Sequence, residues 1–127
     1  MTVLDSSAWL AMMTDQPSAS RFRRLKDEAD TILVPTIVLY EVYKIVARRA
    51  SWEVAELAAM ELQQHEVVDL DSATALTAAD LSLEHRLAMA DAIVYATAQL
   101  KGATLVSGDA DFADLPGVEY IALDEGS

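Results

Sequence analysis

Five carboxylates in this sequence stand where carboxylates are costly or conspicuous. Asp5 follows the apolar run TVL at the start of the chain, and Asp109 and Asp111 follow TLVSG near its end. Glu41 is the only acid in IVLYEVYKIV, and Asp91 stands alone among small and apolar residues in LAMADAIVYATAQL. An ionised carboxylate among such neighbours is unfavourable unless something pairs with it. If these acids converge, they repel and raise one another's pKa values until a cation neutralises them. Oxygen donors without His or Cys suit Mg²⁺ or Mn²⁺, ions that activate water, polarise a phosphoryl group and stabilise a leaving oxygen, as phosphodiester hydrolysis requires. Each acid also has an ordinary reading by itself. Asp5 would bond the first amides of a following helix, Asp91 would complement a helix dipole, Glu41 would pair with Lys44 at i+3, and Asp109 and Asp111 would shape a turn.

For the acids to meet, the elements that carry them must end at one place. Strand-like runs at 3–5, 31–34, 66–70, 104–107 and 119–122 alternate with segments of helical periodicity, which predicts an α/β fold with a mainly parallel sheet covered on both faces. Ser6 or Ser7 is a cap for a helix to about Met13, Pro17 would begin a second that runs to about Glu28, and Thr36 would cap a third through Arg49. Ser51 caps the next, another runs from about Ala73 to His85, and an alanine-rich helix over 90–100 stops at Lys101-Gly102. In an open parallel sheet, ligands bind beyond the carboxyl ends of the strands, near a switch in strand order. The first and fourth runs therefore hand Asp5 and Asp109 to the same edge.

The totals bound what this chemistry serves. A length of 127 residues fits one domain, residues 1–127, and the absence of cysteine excludes a disulfide scaffold, a thiol nucleophile and cysteine-held metal. No apolar run reaches the roughly 20 residues of a membrane helix and no signal peptide is visible, so a cytoplasmic protein without membrane partners is expected. The net charge of −12 argues against nucleic acid until its distribution is considered. Residues 1–49 hold seven of the nine basic residues against six of the 21 acids, and the remainder of the chain holds two against 15. Arg21, Arg23, Arg24 and Lys26 form one basic cluster and Lys44, Arg48 and Arg49 another, either of which is also explained as a solvated helix face.

At the five acids the chain resembles the PIN-domain family, and within it the VapC-type toxin ribonucleases of bacterial toxin–antitoxin pairs. VLDSSAWLA resembles the family's first strand and its aspartate, VPTIVLYEVYKIV the helix that carries its glutamate, MADAIVYATA the helix with its third acid, and LVSGDADF its closing T-x-D-x-D-F pattern. Ser107 stands where that pattern usually has threonine, which keeps the hydroxyl. The resemblance implies a three-layer α/β/α sandwich, endonucleolytic cleavage of RNA with Mg²⁺ or Mn²⁺, a homodimer and inhibition by a cognate antitoxin. Carried over by position, it implies a catalytic set of Asp5, Glu41, Asp91 and Asp109. Asp5 and Asp91 would bind metal directly, Glu41 and Asp109 would bind it or orient its water, and Asp111 is a weaker fifth candidate. Ser6 and Ser107 would support the acids through their hydroxyls.

Lys44 and Arg48 lie three and seven residues after Glu41 on about the same helical face, where they would hold RNA phosphates. His65 and His85 fall outside the acidic motifs and are expected at the surface or at helix ends. Trp9 and Trp52 are expected in the core or an interface, and Tyr40, Tyr43 and Tyr95 in packing. Two rival readings remain: an interaction module with an unused metal site, and a Toprim-like enzyme built on Glu41, Asp109 and Asp111, which leaves Asp5 and Asp91 unexplained. A phosphatase with an Asp5 nucleophile lacks its second aspartate, since Ser7 occupies that position.

Overall fold

The computed structural model describes residues 1–123. Its five strands, β1 (Thr2–Leu4), β2 (Ile32–Pro35), β3 (Glu66–Val68), β4 (Thr104–Ser107) and β5 (Val118–Tyr120), form one sheet in the order β3-β2-β1-β4-β5. Every pairing in it is parallel. The connections carry α1 (Ser6–Met13), α2 (Ala19–Glu28), α3 (Thr36–Arg49), α4 (Trp52–Gln63), α5 (Ser72–His85) and α6 (Met89–Lys101), and a single 3₁₀ turn, Ala110–Phe112, follows β4. The crossovers from β1 to β2 to β3 step to one side and contain α1 to α4. The crossover from β3 returns past β2 and β1 to β4 and contains α5 and α6. Parallel crossovers are right-handed, so the two sets of helices cover opposite faces and make the expected three-layer sandwich.

Burial explains the composition of these elements. Val3, Leu4, Leu33, Val34, Leu105 and Val106 fill the three central strands and are shielded from both sides, which is why those strands read as unbroken apolar runs. On β3, at the sheet edge, Glu66 and Val67 are exposed. Helix α6 is buried without interruption from Ala92 to Ala98; its four alanines in that stretch and at Ala90 let it lie close to β1, β4 and α3. Trp9, Phe22, Leu62, Tyr95 and Phe112 supply the bulk of the core between the layers.

The structure differs from the sequence reading at several boundaries. β1 ends at Leu4, so Asp5 lies outside the strand and itself caps α1, in place of Ser6 or Ser7. Pro35 completes β2 and takes the N-cap position of α3, so Thr36 is the first helical residue. The second helix begins at Ala19, two residues beyond Pro17. Trp9 is buried, but Trp52 is 66% exposed and Tyr40 57% exposed, because the α3–α4 layer is the outermost one at these positions and nothing among the described residues covers them. His65 packs its ring on Trp9 and His85 ends α5 against Tyr95, both away from the acids.

Candidate functional site

The strand order reverses between β1 and β4, and the acids gather beyond the carboxyl ends of those two strands. Asp5 follows β1 directly and is buried. Its Oδ1 accepts from the Ala8 amide at 3.0 Å and from the Ser7 hydroxyl at 2.6 Å, and its Oδ2 accepts from the Ser107 hydroxyl at the end of β4. Ser107 Oγ in turn accepts from the Asp109 amide, and Ser7 Oγ from the Gly108 amide, each at 2.9 Å. These bonds tie the start of the chain to residues more than a hundred positions later. Gly108 must be small here: a Cβ would lie 3.2 Å from the Ile121 carbonyl and 2.6 Å from the Leu123 side chain.

Asp109 Oδ1 accepts from the Asp111 amide at 2.9 Å, which closes the turn into Ala110–Phe112. Phe112, buried against Tyr95, anchors that turn from below. Asp91 enters from the first turn of α6, and one carboxylate oxygen each from Asp91, Asp109 and Asp111 lies within 4.8 Å of the others. Glu41 reaches the same region from α3, where the Ser6 side chain is its hydrogen-bond partner.

The electrostatics follow from this crowding. Burial raises the Asp5 carboxyl above its ordinary range, against the opposing hydrogen bonds of Ser107, Ser7 and Ala8. Burial also raises Glu41; the Ser6 hydrogen bond opposes this, and the charges of Asp5 and Asp109 add to it. Asp91 is affected most. Burial, then the charges of Asp109, Glu41, Asp5 and Asp111, push its carboxyl up to about 7. The other four sequence candidates thus all act on this one carboxyl group. Among the described residues no Lys or Arg pairs with any of them. Three oxygens at mutual distances within one coordination sphere, with no nitrogen or sulfur donor, fit a hard divalent ion such as Mg²⁺ or Mn²⁺. The positions also differ in kind, since Asp5 accepts three protein hydrogen bonds whereas Asp91 accepts none among the described residues.

The model of the PIN domain matches residues 2–118. The chain belongs to the PIN domain family. No curated protein matches it in sequence. Solved structures similar to this PIN domain include a toxin–antitoxin complex from Klebsiella pneumoniae, with a TM-score of 0.79 at 22% identity over 95% of this chain and 100% of that one. VapC20 of Mycobacterium tuberculosis, described as a toxin that cleaves the sarcin–ricin loop, superposes with a TM-score of 0.79 at 20% identity, covering 94% of this chain and 98% of its own. VapBC2 of Rickettsia felis, bound to a DNA fragment from its promoter, gives 0.74 at 19%, covering 97% and 98%. At these identities the likeness establishes a shared fold.

The other residues expected to act in this PIN domain fall at two distances from the acids. Ser107 bonds Asp5 and Ser6 bonds Glu41, inside the site. Lys44 and Arg48 are exposed on α3 and line a groove of about 790 Å³ beside α4. Three of the four residues of the first basic cluster are engaged elsewhere: Arg23 bonds the Met12 carbonyl and Asp15, Arg24 lies near Glu28, and Lys26 lies over Trp9 near Glu61. Ser7 is the residue that the sequence reading missed as part of the site. Its signal was the second hydroxyl of DSS, but both serines there also satisfy the ordinary role of a helix cap, which hid the link to Gly108.

Proposed function

We propose that this PIN domain is the toxin of a VapC-type toxin–antitoxin pair, an endoribonuclease that hydrolyses RNA phosphodiester bonds with Mg²⁺ or Mn²⁺. The observation that carries the reading is the convergence of Asp91, Asp109 and Asp111, whose carboxylate oxygens lie within 4.8 Å of one another with no Lys or Arg paired to them among the described residues; burial and the neighbouring acids push the Asp91 carboxyl up to about 7, as at a site organised for an external cation. A divalent ion bound there supplies water activation and stabilisation of phosphoryl charge. Asp91, Asp109 and Asp111 would hold it. Asp5 sits beneath, its three hydrogen bonds fixing the ends of β1 and β4 so that the acids keep their spacing. Glu41, held by Ser6 and raised in proton affinity, orients the attacking water and accepts its proton on the carboxylate.

The partners follow from the same reading. A cognate antitoxin would present Arg or Lys to the acids and silence the site by charge complementarity, the protein would act as a homodimer in the cytoplasm, and residues 1–127 would form a single domain. Among the described residues no helix is long and apolar enough to cross a membrane. The likeness to structures of toxin–antitoxin complexes and to a toxin described as cleaving the sarcin–ricin loop supports the choice of RNA as substrate.

The test combines Mn²⁺ calorimetry with cleavage of structured RNAs by antitoxin-free protein in Mg²⁺, Mn²⁺ or chelator, beside folded Asp91→Asn and Asp109→Asn. Metal-dependent cleavage that both variants lose supports the assignment. Metal binding and cleavage that survive in both would make the acids structural.

A further inference from the structure

The connection from β4 to β5, residues 108–117, carries Asp109 and Asp111, and it must be held against α6 if these acids are to stay beside Asp91. The acids do not supply that hold, since like charges drive the connection outward. Its own backbone bonds are short-range: the Phe112, Ala113 and Leu115 amides donate to the Asp109, Ala110 and Phe112 carbonyls, each at 3.1 Å. Among the described residues, two hydrogen bonds link residues 110–116 to an α-helix or strand, and both end on the Pro116 carbonyl. The Tyr95 hydroxyl donates to it at 2.7 Å and the Gln99 side-chain amide at 3.3 Å.

Both donors lie on the strip of α6 that begins at Asp91. Asp91, Tyr95 and Gln99 follow one another every fourth residue, so each lies about 40° round the helix and about 6 Å along it from the one before. Tyr95 is itself fixed in place. It is 2% exposed, His85 meets its ring edge-on at 5.9 Å between centres, and Phe112 lies 6.4 Å away. Phe112 immediately follows Asp111 in the chain. One tyrosine therefore packs on the neighbour of an acid, binds the far end of the same connection, and rises from the helix that carries Asp91.

We propose that Tyr95 and Gln99 are positioning residues for the metal centre: by clamping Pro116 to α6 they set the separation of Asp91 from Asp109 and Asp111, and with it the size of ion that these acids accept. The inference rests on the metal reading of the three acids. Pro116 is exposed, so water can replace either donor at its carbonyl, and losing the clamp is a loss of position more than of hydrogen bonding. A site of fixed separation favours Mg²⁺, which requires near-ideal octahedral geometry at about 2.0–2.1 Å, over Ca²⁺, which accepts irregular geometry at about 2.3–2.6 Å. Loosening the clamp therefore costs the smaller ion more.

The test compares the parent with Tyr95→Phe, Gln99→Ala and the double variant, which loses both donors and keeps an aromatic ring on Phe112. Mn²⁺ affinity is read by calorimetry, and Mg²⁺ and Ca²⁺ affinities by competition with it. The expected result for the double variant is a loss of about tenfold in Mg²⁺ affinity and a smaller loss for Ca²⁺, so that the ratio moves towards Ca²⁺, with each single variant in between. Hydrogen exchange of the metal-free protein becomes faster over 109–116. Thr97→Val is the control: it removes a buried hydroxyl that bonds the Ile93 carbonyl within α6 at 2.8 Å, and it leaves the ratio unchanged. A double variant that is folded by circular dichroism and binds both ions as the parent does, or loses both by the same factor, overturns the proposal and leaves the clamp with a purely structural task. A parent that binds none of the three ions overturns the metal reading, and with it the role in ion size. Exchange over 109–116 then separates the two failures, since faster exchange in the double variant still shows that Tyr95 and Gln99 hold the acids, and unchanged exchange overturns the clamp itself.

Discussion

The proposed metal binding should be pH-dependent through Asp91 in a range where carboxylates seldom titrate. With its carboxyl at about 7, about one tenth of the metal-free protein is ionised there at pH 6 and about nine tenths at pH 8. A divalent ion coordinates the ionised form, so each binding event displaces close to one proton from Asp91 at pH 6 and about a tenth of one at pH 8. Apparent affinity should therefore rise about tenfold between these two pH values from this group alone. Isothermal titration with Mn²⁺ in two buffers of different ionisation enthalpy measures both quantities at once, since the difference in heat gives the protons released. Asp109→Asn removes the largest charge acting on Asp91 and should shift the release to lower pH. Affinity that is flat from pH 6 to 8, with no buffer-dependent heat, would mean that Asp91 is already ionised and that the acids do not crowd it as described.

Further outcomes follow from the same bonds and angles. In the metal-free protein the raised Asp91 carboxyl holds its proton longer in the folded than in the unfolded state, so its contribution to stability is full below about pH 3.8 and falls as pH rises towards about 7. A shift from 3.8 to about 7 corresponds to about 4 kcal/mol without solvent, which screening at this half-exposed site reduces to about 1–2 kcal/mol. Asp91→Asn should therefore raise thermal stability at pH 8 while weakening metal binding, with a gain that shrinks towards pH 4 in thermal melts. Asp5→Asn should destabilise by about 1–3 kcal/mol in urea, because an amide presents a donor where the Ser107 hydroxyl now donates. Arg86→Gly should stabilise by about 1 kcal/mol by the same measurement, since Arg86 ends α5 at a φ of 58°.

What was legible in the sequence was whatever local pattern dictates. The apolar runs of the central strands, Ser51 as a cap and Gly102 as a left-handed stop are decided by neighbours in the chain, and the structure places them where the pattern does. The family and its sandwich were legible because four acidic motifs occur in one order. Less legible was anything set by distant partners. Whether Asp5 ends a strand or caps a helix depends on hydroxyls at positions 7 and 107, and nothing in TVLDSS distinguishes the two cases. Tyr40 shows the opposite failure. Its apolar surface predicts packing, but it is exposed, and helix periodicity alone does not reveal which face of an outer helix meets another layer.

The contrast between Asp5 and Asp91 separates two tasks that a set of like acids would otherwise confuse. A carboxylate that accepts three protein hydrogen bonds has little coordination capacity to spare and a large structural consequence if removed. One that accepts none among the described residues, and is surrounded by four like charges, gains most from a cation and costs stability without it. Activity lost on changing Asp5 is therefore weak evidence for direct metal contact, since the positions of β1 and β4 change with it. Activity lost on changing Asp91, in a protein that has become more stable, is strong evidence.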